Sequence, residues 1–379
     1  MKKISFACLL LLFAISAIAQ NNSFVYTNDN FSPNTISVFR VNPNDGSLTL
    51  ITGSPFLTGG NGGGGDVNAE NITTATINQR SFLYAANNGD STISAFLINP
   101  RTGDIVSIPG SPFPAGPPNA GSTISLAASP NGHFLFEVDE SSTFIRTFHI
   151  SNTGALSEAH GSPFNAGAFS EGLKVTANGK FLVVGLKTLD AVGIFAIDAT
   201  GALTPAPGSP FLTNGAATAV DANCANNRVF VSSAGSNLID AFEMAADGAL
   251  IPAPGSPFPT GGSSTVNALT LTPDNHTLLT SNVFDFAVSS LHVKADGSLR
   301  PVPGSPFPAD NWVGSIATTR DGKFVYTSLF TDAQVDGWRA GATGRLAPVP
   351  GRPFSTGQAG AGVQALTTFP APACLAPQQ

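Results

Sequence analysis

Glu70 and Glu171 each sit in a polar loop just ahead of an apolar segment, where two carboxyl groups can share proton transfer if one holds its proton and the other does not. They are the candidate catalytic residues, although a place on a solvated rim accounts for either one as simply. Candidate ligand-binding residues are Asp29, Asp90 and Asp190, each just after a short strand-like segment, and Asn119, Asn267 and Trp312, in loops like those of the glutamates. A ring of carboxylates suits a cation or a polyhydroxylated ligand. Asp and Asn also open turns through local side-chain bonds, and with no calcium-loop spacing in the chain the turn reading is the stronger one.

Other chemistries find less support. His133, His149, His160, His276 and His292 form no His-x-His or His-Glu-x-x-His cluster, so no metal site is expected. Gly60, Gly62 and Gly65 satisfy the dinucleotide pattern literally, but no crossover helix follows to offer its N-terminus to a pyrophosphate; the run reads as a flexible insertion, and no cofactor is expected. Cys224 and Cys374 lie in a mid-chain turn and a Pro-rich tail, and nothing in the sequence suggests that they meet.

The chain opens with Lys2 and Lys3, an apolar run and Ala17-Ile18-Ala19, the pattern of a bacterial secretory signal cleaved after Ala19, which implies a periplasmic or secreted protein. Without those 19 residues the balance is 15 basic to 24 acidic, or −9, and no second long apolar stretch follows. Nucleic acid and a membrane span are therefore not expected partners; a carbohydrate, small-molecule or protein ligand is, for a monomer. Charged residues make up 11% of the chain beside 40 Gly and 29 Pro, which suits many short strands joined by turns.

The elements that would position these residues come from a repeat. Gly-Ser-Pro-Phe begins at Gly53, Gly110, Gly161, Gly208, Gly255 and Gly304, and a seventh copy reads Gly351-Arg352-Pro353-Phe354, with spacings of 57, 51, 47, 47, 49 and 47. Seven positions before each copy stands another glycine, from Gly46 to Gly344, preceded by Asp or Thr as in a hairpin turn. Upstream lie two strand patterns, one carrying Phe39, Phe96, Phe148, Phe195, Phe242, Leu291 and Trp338 at its fourth position, and before most of them a further strand such as 124–128 or 316–319. Four antiparallel strands per unit, repeated seven times, predict an all-β, seven-bladed β-propeller over residues 20–369. The first unit lacks its innermost strand and 363–369 resembles it, so the C-terminal strand is expected to close the ring on the N-terminal strands, leaving 370–379 as a disordered tail. Asp29, Asp90, Asp139 with Glu140, Asp190, Asn237, Asp285 and Asp332 then gather at one mouth of the channel with Glu70 and Glu171.

Phe24-Val25-Tyr26-Thr27 and Phe324-Val325-Tyr326-Thr327, with their flanking turns, resemble the seven-bladed lactonase-like propellers, a family that includes 6-phosphogluconolactonase, carboxymuconate-lactonizing enzymes and secreted relatives with YVTN-type repeats. The resemblance runs from about Phe24 to Phe369 and implies lactone hydrolysis. The family's enzymes imply histidines and an arginine ahead of innermost strands, where this chain has 119–123 and 263–267 with neither, so no catalytic position carries over. The leading expectation is a binding or interaction module at one mouth of the channel. The alternatives are a sugar lactonase, a polysaccharide lyase or hydrolase, and a structural surface repeat protein.

Overall fold

Strands form where apolar residues alternate, and a computed structural model of the chain describes residues 22–63, 70–116, 124–263, 265–358 and 362–374. The expected signal segment and Asn119 lie outside them. In the second blade Ile72–Ile77 lines the channel, followed outward by Arg80–Asn87, Thr92–Ile98 and Ile105–Ser107. Seven sheets repeat this antiparallel order, which makes the molecule a seven-bladed propeller. In the first blade Ala365–Phe369 supplies the inner strand and pairs with Phe24–Asn28, closing the ring as expected.

The outermost position of each blade is shared by two short pieces. In the second blade Ile105–Ser107 pairs with one half of the third strand and Phe113–Pro114 with the other. The Gly-Ser-Pro-Phe turn joins the pieces, with its glycine at positive φ and its Ser–Pro bond cis. The break leaves a third-strand N–H without a ladder partner, and the motif's serine Oγ accepts it. Ser54, Ser111, Ser162, Ser209, Ser256 and Ser305 do so at 2.9–3.1 Å for Val38, Ala95, Thr147, Ile194, Ala241 and Ser290. The motif's glycine and serine thus each have a backbone reason to recur.

Seven apolar clusters fill the seven interfaces between blades. In each, the recurring large apolar residue of one blade's third strand (Phe39, Phe96, Phe148, Phe195, Phe242, Leu291 or Trp338) meets the second strand of the preceding blade, as Phe96 meets Phe24 and Tyr26. Five of the seven hairpin glycines sit against second-strand phenylalanines, Gly297 and Gly344 facing Arg228 and Thr277 instead: a Cβ on Gly103 would lie 2.5 Å from the Phe24 ring. The chain's three tyrosines share one task, for Tyr26, Tyr84 and Tyr326 donate to the carbonyls of Gly103, Gly154 and Gly46 in the next blade at 2.9, 2.9 and 2.7 Å.

Two features depart from expectation. Cys224 and Cys374 form a disulfide, which fastens the tail as far as residue 374. Cys224 lies in the turn after the inner strand of the fifth blade, three blades from the first, so the five residues after Phe369, which reach at most about 18 Å, run across the lower end of the ring to meet it. A sequence separation of 150 hides this proximity, which only the closed ring creates. The glycine run, expected to be a flexible insertion, is instead pinned over residues 59–63 between the first two blades. Gly60 O accepts from Asn34 N, Asn61 N donates to Asp90 Oδ2 at 2.9 Å, and a Cβ on Gly62 would collide with the Asn30 backbone. Glycine is required there for close approach of two backbones.

Candidate functional site

Loops leading into inner strands and loops joining second to third strands open at one end of the channel, here the upper mouth. An inner strand is an edge strand, so every blade leaves backbone groups facing the channel. Polar side chains of neighbouring blades satisfy them: Thr218 Oγ1 donates to Val266 O at 3.2 Å, Ser315 Oγ to Leu366 O at 3.3 Å and Thr368 Oγ1 to Thr318 O at 2.7 Å.

Glu70 belongs to this system and reaches furthest. Its carbonyl accepts from Leu126 N of the third blade, and its carboxyl crosses to the fourth, where Oε2 accepts the Leu173 N–H at 2.7 Å. Burial pushes its pKa up to about 8 against the pull of that N–H and of Lys174, while Asp221 and Glu171 add to the rise. Lys174 and Asp221, one residue before the ends of the inner strands Ser170–Val175 and Ala217–Ala222, form an ion pair at 3.0 Å. Asp221 also accepts from Leu271 N at 2.8 Å, and its charge raises the pKa of Lys174. Glu70, Lys174 and Asp221 therefore make one electrostatic unit inside the channel.

Glu171 sits in the bulge that opens the inner strand of the fourth blade and is buried. Lys187, on a short 3₁₀ turn, approaches it at 2.9 Å and also meets Glu140 of the third blade. Burial works against the Lys187 ammonium, but the two carboxylates outweigh it and raise its pKa. At the corresponding turn of the sixth blade, Phe284 and Phe286 stand exposed beside Trp312.

The structure brings Glu70 and Glu171 into one electrostatic neighbourhood and distributes the other candidates. Asp29 is buried in its own hairpin, accepting from Thr27, Thr35 and Ser37 at 2.5–2.9 Å, and burial raises its pKa to about 6. Asp90 ties Asn61 to Thr92, Asp190 is exposed at the end of the 3₁₀ turn, and Asn267 is buried in the bulge of the sixth blade's inner strand. Sequence reasoning missed Lys174, Lys187 and Asp221, whose signal was a charged residue inside or beside an otherwise apolar inner strand.

No protein-family model matches the chain, and no curated protein matches it by sequence. Solved structures do match its shape. A Bacteroides fragilis protein provisionally named a 6-phosphogluconolactonase superimposes with a TM-score of 0.74 at 16% identity, covering 93% of this chain and 99% of that one. The Pseudomonas aeruginosa periplasmic gluconolactonase PpgL gives 0.70 at 17% identity, with 92% and 98% covered. A Lactobacillus plantarum protein gives 0.71 at 15%, with 92% and 99% covered. The chain has the seven-bladed fold of these proteins.

Proposed function

We propose that the protein hydrolyses a lactone at the upper mouth of the channel. The observation that carries this reading is Glu70, a channel-facing carboxyl raised to about 8 and within the electrostatic reach of Glu171, which Lys187 approaches at 2.9 Å. At neutral pH Glu70 keeps its proton and donates it to the ring oxygen as the acyl–oxygen bond breaks. Glu171 accepts a proton from the water that attacks the carbonyl carbon. One water is added, one carboxylic acid and one hydroxyl result, and exchange with solvent returns the proton from Glu171 to Glu70 before the next turnover. The likeness in shape to a gluconolactonase supports the same reading, at the level of fold.

We also propose that the protein works outside the cytoplasm. The signal pattern ending at Ala19 supports export, and the Cys224–Cys374 bond suits an oxidising compartment.

The test is hydrolysis of a panel of sugar lactones by the purified protein, followed by pH-stat. Expected are turnover above the spontaneous rate, a decline as pH rises past about 8, and a loss on the order of a hundredfold in Glu70→Gln. Spontaneous rates throughout, or full activity in Glu70→Gln, would overturn the assignment.

A further inference from the structure

The seven repeats supply an internal comparison for each loop. In the second, fourth and sixth blades the residue just before the third strand adopts positive φ: Ser91 at 53°, Asp190 at 47° and Phe286 at 51°. Small polar residues accept the left-handed region with local hydrogen bonds, whereas a bulky side chain there is strained. Among the described residues the other non-glycine positions with positive φ are Asn, Gln, Ser or Asp, and Phe286 is the one apolar exception. Its backbone is held there, with Phe286 O accepting from Ala309 N at 2.7 Å.

The strain presents a ring to solvent. Phe286 is 41% exposed and Phe284, two residues earlier on the same 3₁₀ turn, is 57% exposed. Trp312, from the loop leading into the seventh blade, meets Phe284 edge-on with centroids 5.3 Å apart and lies nearly parallel to Phe286 at 6.4 Å. Three rings thus form an open aromatic floor, where burial would have served stability better. Its rim is polar and acidic: Asp285 accepts from Ser263 N and Oγ, and Asp332 accepts from the Asn311 amide.

We propose that Phe284, Phe286 and Trp312 form a stacking subsite for the pyranose ring of an uncharged saccharide. The C–H face of a pyranose carries slight positive charge that complements the negative face of an aromatic ring, while its hydroxyls donate to carboxylates such as Asp285 and Asp332. The same carboxylates repel phosphorylated or uronic sugars. The subsite lies at the same mouth as Glu70 and Glu171. It deepens the lactonase reading by naming a sugar as ligand, yet binding to it requires no turnover.

The experiment is affinity electrophoresis through gels containing neutral glucans, mannans or galactans, together with tryptophan emission titrated with their oligosaccharides. The chain has two tryptophans and Trp338 is buried, so a ligand-dependent change in emission reports Trp312. Expected are retardation by at least one neutral glycan, a saturable emission change, and weakening on the order of tenfold in Phe284→Ala. Phe286→Gly is expected to weaken binding while leaving the melting temperature unchanged or higher, which a merely structural ring would not do. No retardation and no emission change across the panel would overturn the proposal, as would binding undiminished in Phe284→Ala and Trp312→Ala. A concentration-dependent dimer that Phe284→Ala abolishes would give the floor to self-association and overturn it equally. The polysaccharides carry no lactone, so a negative lactonase assay leaves this result standing, and the reverse.

Discussion

Arg352 Nη1 straddles the carboxylate of Asp336, 3.0 Å from Oδ1 and 2.9 Å from Oδ2, at the one repeat whose turn reads Gly-Arg-Pro-Phe. In the other six blades a serine stands at the place of Arg352 and accepts the third-strand N–H opposite the break in the outer strand. Here Asp336 Oδ1 accepts the Gly337 N–H instead, at 2.8 Å, and Arg352 balances the charge that this introduces. The fifth blade also has an aspartate at this strand position, Asp240, but there Ser256 accepts the Ala241 N–H, so it is the loss of the motif serine that leaves this role to Asp336. Burial still wins in part, and raises the pKa of Asp336 to about 6 against the pull of Arg352.

Arg352→Ser alone, which restores the motif, is accordingly expected to destabilise the protein by about 3 kcal/mol at pH 8, because it strands a buried carboxylate. The loss shrinks toward pH 5, where Asp336 takes up a proton. Asp336→Ser with Arg352→Ser reproduces the arrangement of Ser37 with Ser54, and is expected to recover most of the loss. Urea denaturation of the two single variants and the double variant at both pH values measures the coupling.

Glu70 sets a second pH dependence. Its pKa in the folded protein, about 8, lies above its ordinary value of 4.5, so the protonated form favours folding. The stability it contributes is full below about pH 4.5 and is lost as pH rises to 8. Glu70→Gln keeps an acceptor for Leu173 N–H and removes the titration. Its stability curve is expected to be flatter across that window and to lie above the parent's at pH 9. Parallel curves for the two proteins would mean that Glu70 ionises as freely as in an unfolded chain.

Much of the fold was legible because each repeated residue answers a local backbone need. Most hairpin glycines meet a neighbour's aromatic ring, the serines cap an orphan N–H, and the tyrosines reach a carbonyl in the next blade. The site was less legible because its groups come from positions that differ between blades. Lys174 occupies the place where the fifth blade has Asp221, and their pairing follows only when the two strands stand side by side. Glu70 and Glu171 were found from loop position, but the Leu173 N–H that holds Glu70 belongs to a strand 103 residues away. The exposure of Phe286 was hidden too, since a lone phenylalanine in a sequence rich in them announces no φ angle.

The ring seam gives a third prediction. Tyr326 joins the seventh blade to the first through Gly46 O, as Tyr26 and Tyr84 join neighbours elsewhere. Tyr326→Phe keeps the ring in its apolar cluster and leaves a buried carbonyl unpaired, at a cost of about 1 kcal/mol. Tyr84→Phe should cost the same at equilibrium. Stopped-flow unfolding is expected to separate them, with Tyr326→Phe accelerating unfolding more if the ring opens first at the seam. Equal acceleration would place the first opening elsewhere.

The disulfide ties that seam from below. Ala365–Phe369 is the strand that closes the ring, and the residues after it run to Cys374 and across to Cys224 in the fifth blade. Peeling the inner strand from Phe24–Asn28 therefore requires the tail to stay anchored at its far end, which limits how far the strand can move. Reduction, or Cys224→Ser with Cys374→Ser, is expected to cost about 2–5 kcal/mol, as for a crosslink closing a long loop. Amide exchange should rise first along Ala365–Phe369 and its partner Phe24–Asn28, while the strands around Lys174 keep their protection. A uniform rise around all seven blades would instead show that the crosslink acts on the unfolded chain alone, with no particular hold on the closing strand.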